Sequence, residues 1–293
     1  MLTFQTPTLA DRAWVHEILY SANRKGCEYS FCNLLLWISP IGKIARMGDF
    51  LLCRLEFSGK TCYFFPAGQG NLTEAMDALR EDAGEKPFLL RGVTEEDKAI
   101  LETLYPEKFT FTPLRNTFDY LYPVEKLATL AGKKLQSKRN HINRFMENYP
   151  NWQVVEITRE NLHLCKELSE QWYALRPDED FEGEKSALFT ALEHREELGF
   201  EGILLFDGEK PVAFSMGNRI TEEMFDVNFE KAFAHVQGAY PMVNREFARR
   251  VMEKYPGVRF LNREDDMGLE GLRKAKESYY PDLLTKYEAR WEA

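Results

Sequence analysis

The apolar residues of this chain come in short runs closed by turns, and that limits what it can fold into. "KIARM", "FLLCRLEF" and "TCYFFPA" follow one another across Gly48-Asp49 and Ser58-Gly59-Lys60, while "GFEGILLFDGEKPVAFSMGNRI" doubles back at Asp207-Gly208. Alternation of this kind across Gly-containing turns predicts antiparallel strands joined by tight connections. "KPFLLRGV", "TFDYLYP", "WQVVEIT", "EMFDVNFEKAF", "VRFLNR" and "LLTKYEARW" read as further strands. Between them, apolar residues recur at helical spacing over 8–23, where Leu9, Ala13, Trp14, Ile18 and Leu19 share a face. Helices are also expected at 31–37, 71–83, 95–105, 159–175, 185–198 and 241–253. Both halves then run helix, helix, antiparallel strands, helix, strand, helix, strand. We read this as two copies of one α/β unit, divided near Pro123–Gly132: an N-terminal domain over 1–125 and a C-terminal domain over 126–293 that carries the active site. A length of 293 residues suits about two domains.

Composition removes several classes. The net charge of −9 excludes a general nucleic-acid binder but leaves room for a local basic patch holding a phosphate or a tRNA end. No apolar run approaches the ~18 residues of a membrane span, and "MLTFQTPTLADRAW" has no signal-peptide pattern. A cytoplasmic location is the default expectation. Cys27, Cys32, Cys53, Cys62 and Cys165 form no C-x-x-C pair, so they read as buried thiols in a reducing compartment, with no metal site expected.

Three stretches carry candidate chemistry. In "LAGKKLQSKRNHINRFMENYP", Leu135, Ile142, Met146 and Tyr149 fall on one helical arc, with Lys138 and Arg139 on or beside it. A charge there must snorkel, pair or face a ligand. The helix is either basic and solvated, or it offers Lys138, Arg139 and Asn140 to a phosphate or acidic group. In "HVQGAYPMVNREF", Gln237, Gly238, Ala239 and Tyr240 sit between a strand and a helix, where backbone amides and the helix dipole can receive a pyrophosphate. An ordinary turn explains the same glycine. In "FLNREDDMGLEGLRKAKESYYP", Leu269, Leu272, Ala275 and Tyr279 are expected to face the core, Asp265 or Asp266 to cap the helix, and Gly268 and Gly271 to turn the loop. Capping alone leaves Arg273, Lys274 and Lys276 unexplained, and the alternative is a rim rich in acid, base and cations. Glu28 reads as a helix cap, and "RPDEDFEGEKS" as a solvated acidic loop.

Taken together, "GKKLQSKRNHINRF", "EYSFCNLLLW" and "NREDDMGLEGLRKAKESYYP" resemble a family of uncharacterised bacterial proteins related to the C-terminal domain of phosphatidylglycerol lysyltransferase. The resemblance covers nearly the whole chain. It implies two tandem GNAT-like (acyl-CoA N-acyltransferase) domains, as in Fem-type transferases, each a mixed, mainly antiparallel sheet flanked by helices. Relatives with assigned activity move an aminoacyl group from charged tRNA to a lipid headgroup hydroxyl. The resemblance therefore implies an acyl or aminoacyl transferase with an amine or hydroxyl acceptor on a small molecule, peptide or lipid headgroup. No tightly bound cofactor is implied; acyl-CoA or aminoacyl-tRNA is the co-substrate. A CoA-dependent N-acetyltransferase and a non-catalytic binding module are the alternatives. In the leading reading Lys138, Arg139, Asn140, Arg273 and Lys276 bind substrate phosphates. Gln237, Gly238, Ala239 and Tyr240 take a CoA pyrophosphate. Asp265 or Asp266 holds an amine, and Tyr279 or Tyr280 protonates the leaving group. The lysyltransferases carry a long membrane domain that has no counterpart in this sequence.

Overall fold

The structure is a computed structural model that describes all residues except Met1, Ser58 and Ala293. Ser58 of the expected Ser-Gly-Lys turn thus lies outside the described residues. The chain separates into two compact units. The first comprises Met1–Tyr120, Glu264–Glu277 and Asp282–Ala293; the second comprises Leu121–Arg263 and Ser278–Pro281.

The first unit opens with helix α1 (Arg12–Ala22) and α2 (Phe31–Asn33), which continues as one π-helical turn over Leu34–Ile38. A meander follows: β1 (Gly42–Met47), β2 (Phe50–Phe57), β3 (Lys60–Phe64) and the short β4 (Ala67–Gly68). Then come α3 (Leu72–Ala83), β5 (Leu89–Val93), α4 (Glu95–Leu104) and β6 (Phe109–Pro113). Asn71 caps α3 by accepting from the amides of Thr73 and Glu74, and Thr94 caps α4 with a reciprocal bond to Asp97. The chain leaves this unit within β7 (Asp119–Pro123).

The second unit holds α5 (Val124–Thr129), α6 (Gln136–Asn148), β8 (Trp152–Glu156), α7 (Leu162–Ala174), α8 (Glu182–Glu193) and α9 (Arg195–Leu198). The hairpin β9 (Glu201–Asp207) and β10 (Lys210–Arg219), then β11 (Met224–Ala232), α10 (Ala239–Lys254) and β12 (Phe260–Asn262) complete its sheet. The chain ends with α11 (Glu270–Glu277), β13 (Asp282–Leu284) and β14 (Tyr287–Trp291).

The final strand changes the expected division. It was read as part of the C-terminal domain, but β14 lies between β5 and β6 in the first sheet, whose order is β1-β2-β3-β5-β14-β6. Ala289 is sealed in that core with Leu52, Tyr63, Met76 and Leu90. Alternation identifies a strand but not its partner, so a strand that returns across the chain escapes it. The motif residues Glu264–Glu277 likewise belong to the first unit, and the division falls at Tyr120 rather than beyond Pro123.

In the second sheet the end of β7 pairs with β12, followed by β11, β10, β9 and β8. All pairs are antiparallel except β11 with β12. That parallel pair has only three matches, ending at Asp226 opposite Asn262, while β11 runs on to Ala232. β12 ends at Asn262. The first sheet has one parallel pair too, β3 with β5, with α3 between them in sequence as α10 is between β11 and β12. No helix among the described residues is long and apolar enough to cross a membrane.

Candidate functional site

The loop from Glu264 to Gly268 folds through a run of left-handed residues: Glu264 (φ 54°), Met267 (φ 50°) and Gly268 (φ 79°). Only the last is a residue that adopts this conformation at low cost. Its acids hold the loop: Met267 N–H donates to Asp265 Oδ1 and Gly268 N–H to Asp266 Oδ1 (3.1 and 2.8 Å). Neither acid caps α11, which starts four residues later at Glu270.

Asp266 is fully committed. Arg273 grips it with two donors (2.8 and 2.9 Å), Arg115 adds a third at 3.1 Å and the Tyr120 hydroxyl a fourth at 2.5 Å. The Arg273 bonds hold its carboxyl far below the usual carboxylate range. Arg273 and Asp266 were expected to face substrate; each is instead the other's partner, and Arg273 also donates to Asn116. The expected apolar face of α11 is present only in part: Tyr279, just past the helix, is buried and Leu272 half-buried. Leu269 is 55% exposed and Ala275 exposed, while Lys276 is buried with its ammonium on the carbonyl of Asp265. The helix is short, and its inner side meets polar groups.

Those polar groups form a cluster that sequence reasoning missed. Lys286, buried ahead of β14, places Nζ 2.5 Å from Glu28 Oε2 and 2.7 Å from Asp119 Oδ1. Burial opposes its charge, but Asp119, Cys27 and Glu28 raise its pKa well above normal. Cys27 N–H donates to Asp119 Oδ2 (2.8 Å), and its thiol lies 3.3 Å from Oδ1. Burial and Asp119 push that thiol up. Asn33 bridges the Cys27 carbonyl and Glu264 Oε1, both at 2.9 Å. Burial raises the carboxyl of Glu264 to about 7 despite Lys276, and burial with Asp119 raises that of Asp265. Glu28 is thus no helix cap. Gly26 and Gly92 make room for it: a Cβ on either would fall within 2.6 Å of its carboxylate. Cys27, Glu28 and Asp119 have ligand atoms within 4.8 Å of one another, with the Lys286 ammonium beside all three.

The second unit collects the other candidates. Lys138 lies on the half-buried side of α6, as expected, and donates to Ser278 Oγ at 2.6 Å. Its ammonium stands 4.0 Å from the ring centre of Tyr279. It has no acidic partner among the described residues, and burial plus the charge of Arg263 lower its pKa. Tyr279 is 6% exposed, packs edge-on against Tyr122, and keeps its phenol neutral through burial. Just past β12, Arg263 pairs with Glu230 at 2.8 Å, and Asn244 and Ser215 reach the same carboxylate. Arg139 spends its donors on the carbonyls of Leu130 and Gly132 and the side chain of Gln136, so it closes the C-terminus of α5. Asn140 is exposed and bonded to Gln136. Gly238 (φ 85°) opens α10, and a Cβ there would lie 2.3 Å from the His141 carbonyl: its freedom serves the approach of α6. The Ala239 amide already donates to Val236, Gln237 is bonded by Asn148, and Tyr240 accepts from Trp172. A cavity of about 190 Å³ beside Arg24, Phe65 and Leu72, and one of about 50 Å³ beside Arg195, Glu201 and Arg250, contain none of these residues.

A model of the family described as phosphatidylglycerol lysyltransferase, C-terminal, matches residues 21–290. A conserved protein of unknown function from Bacteroides thetaiotaomicron is 39% identical with full coverage of both chains and a TM-score of 0.93. The C-terminal domain of a putative lysylphosphatidylglycerol synthetase from Agrobacterium fabrum shares the fold at 12% identity (TM-score 0.71, 98% of this chain and 93% of that one). An uncharacterised protein of Mycoplasmoides gallisepticum is 26% identical over 178 residues, 57% of this chain; the match spans 54%, about half, of that curated relative's length.

Proposed function

The chain belongs to the phosphatidylglycerol lysyltransferase C-terminal family, and from that premise we propose that it is an aminoacyl transferase with a charged tRNA as donor. The observation that carries the donor is Lys138. A half-buried ammonium with no acidic partner, resting on a serine hydroxyl and a ring face, suits a phosphate of the tRNA end. In this reading the acceptor hydroxyl or amine attacks the aminoacyl ester carbon, and the bond to the ribose oxygen breaks. The acceptor's proton ends on the departing ribose hydroxyl. Tyr279, kept neutral by burial, is the acid at the leaving group. The acceptor class is a lipid headgroup, a peptide or a small molecule bearing a hydroxyl or amine.

A second reading, transfer from acyl-CoA to an amine, is favoured by one feature: β12 ends after its three parallel matches with β11, which runs on unpaired by β12 to Ala232. Arg263 just past β12 is paired with Glu230 of β11, and the turn at Gly238 is packed under α6. A thermal-shift series with aminoacylated tRNA, deacylated tRNA and acetyl-CoA separates the two. Ligand at ~100 Kd adds about 2.7 kcal/mol. Stabilisation by tRNA alone supports the proposal, CoA alone supports the second reading, and no shift with either leaves a binding module of other specificity.

A further inference from the structure

The segment Ser278–Pro281 of the second unit carries two neighbouring tyrosines in different settings. Tyr279 is buried, while Tyr280 is 46% exposed on a left-handed backbone (φ 55°). Ammonium groups from three lysines converge on this segment. Lys138 of α6 donates to Ser278 Oγ at 2.6 Å and stands 4.0 Å from the ring centre of Tyr279. Lys134, just ahead of α6, has its Nζ 5.2 Å from the ring centre of Tyr280. Lys126 of α5 donates to the Tyr280 carbonyl. None of the three pairs with an acid among the described residues. The sequence offers them no local one: Lys126, Lys133, Lys134, Lys138, Arg139 and Arg144 follow one another with no acid between Glu125 and Glu147, in a chain of net charge −9. Like charges gathered at one place repel, and each gives up part of its hydration. Folding gains nothing from that arrangement, whereas binding a polyanion does.

We infer that this patch receives the unpaired end of an RNA, with Lys126, Lys134 and Lys138 on its phosphates and a base stacked on Tyr280. The inference rests on the aminoacyl-transfer reading, in which that RNA is the donor tRNA, and names the part of the tRNA that is held. Tyr280 thereby takes a binding role, apart from the acid role of Tyr279. Lys134 is exposed, and an ammonium over a ring is a weak contact at such a site. A base on the same ring is the stronger one, and the displaced lysine is left beside the phosphates. An unpaired strand suits the patch better than a duplex, because only an unpaired base offers its face. A lipid surface would call for several apolar side chains inserted beside the lysines. The other exposed large apolar residues of this unit, Leu175 and Met252, lie at the end of α7 and in α10, and a single ring suits a base.

Fluorescence anisotropy on the full chain tests this, with a labelled hexaribonucleotide, a duplex of the same sequence, inorganic triphosphate as competitor, and vesicles of equal phosphatidylglycerol and phosphatidylcholine. The single strand is expected to bind with log K falling against log salt at a slope of about −2, the value for phosphate contacts to three lysines at about 0.7 each. Tyr280→Ala is expected to weaken binding about 10-fold, and Tyr280→Phe to keep it, because stacking needs the ring and not the hydroxyl. Lys126→Gln and Lys134→Gln are each expected to make the slope shallower by about 0.7. Circular dichroism should be unchanged in all of these variants. The inference is overturned if the hexaribonucleotide does not bind, if Tyr280→Ala binds it as wild type does, or if the duplex or triphosphate binds as tightly as the single strand. Vesicles that bind through Tyr280 and exclude the single strand overturn it as well, in favour of a lipid surface. Thermal stabilisation by tRNA that Tyr280→Ala leaves intact removes this site alone; single-strand binding through Tyr280 without stabilisation by tRNA removes the donor reading alone.

Discussion

In the first unit Glu28, Asp119, Glu264 and Asp265 crowd around two lysines, whereas in the second Lys138 rests on a hydroxyl and a ring with no acid beside it. One place gathers carboxylates about ammonium groups, and the other holds an ammonium group with no acid beside it among the described residues. Folding alone favours neither, because a buried charge costs free energy unless it is paired. The Asp266 cluster shows that the same chain can satisfy a buried carboxylate completely, with three guanidinium donors, a phenol and an amide. The contrast separates charges that build the fold from charges left for something else, and it sorts the expected effects of mutation.

The largest loss of stability is expected where one buried ammonium holds two carboxylates. Lys286→Met leaves the carboxylates of Glu28 and Asp119 without their shared cation, at a cost of about 3–5 kcal/mol. Chemical denaturation measures it, and a cost under about 1 kcal/mol would mean that Lys286 is not what holds those carboxylates. Asp266→Asn comes next, at about 2–3 kcal/mol, because it removes charge-assisted bonds from Arg115 and Arg273, both mostly shielded from solvent. Asp265→Asn, made in the adjacent residue, is expected to leave stability within about 0.5 kcal/mol. If the two variants unfold alike, the distinction between structural and available carboxylates fails.

The sequence makes part of this legible. The meander, the hairpin at Asp207-Gly208 and the helices announce themselves through period and turn chemistry, which are local. The half-burial of Lys138 was readable for the same reason, from its place beside the apolar arc of α6. The carboxylate cluster was not. Its members come from positions 27–33, 119, 264–276 and 286, and nothing local links them. The signals available were weak: a Glu two residues after a Gly in "KGCEYS", and the lysine of "LLTKYEARW" just ahead of a strand otherwise suited to burial. The misplacement of β14 has the same origin, since pairing across about 170 residues follows from packing rather than pattern. The role of Asp266 was missed because its partners Arg115 and Tyr120 lie outside the motif.

A further effect depends on pH. Glu264 titrates near 7 in the fold and near the ordinary value of 4.5 once unfolded. Between those values the folded protein holds the extra proton, so stability falls as pH rises from about 4.5 to 7 and is flat above. Glu264→Gln is expected to remove that fall, leaving a melting temperature higher than wild type at pH 8 and close to it at pH 5. Parallel wild-type and variant curves would show that the carboxylate is ionised throughout.

Another small change in stability, and the sharpest test of the second unit, is expected at Lys138. Lys138→Ala gives up one hydrogen bond to Ser278 and the contact with Tyr279, but it also removes a charge whose pKa is lowered by burial. The two roughly cancel, so stability should move by less than about 1 kcal/mol. Donor binding should not be so tolerant: losing one desolvated cation at a phosphate is expected to weaken tRNA about 10-fold or more. Lys138→Arg keeps the charge and should recover most of that affinity, with the same salt dependence as wild type. If Lys138→Ala instead unfolds the protein while Lys138→Arg does not, the lysine is a structural charge like Lys286, and the contrast between the two units collapses.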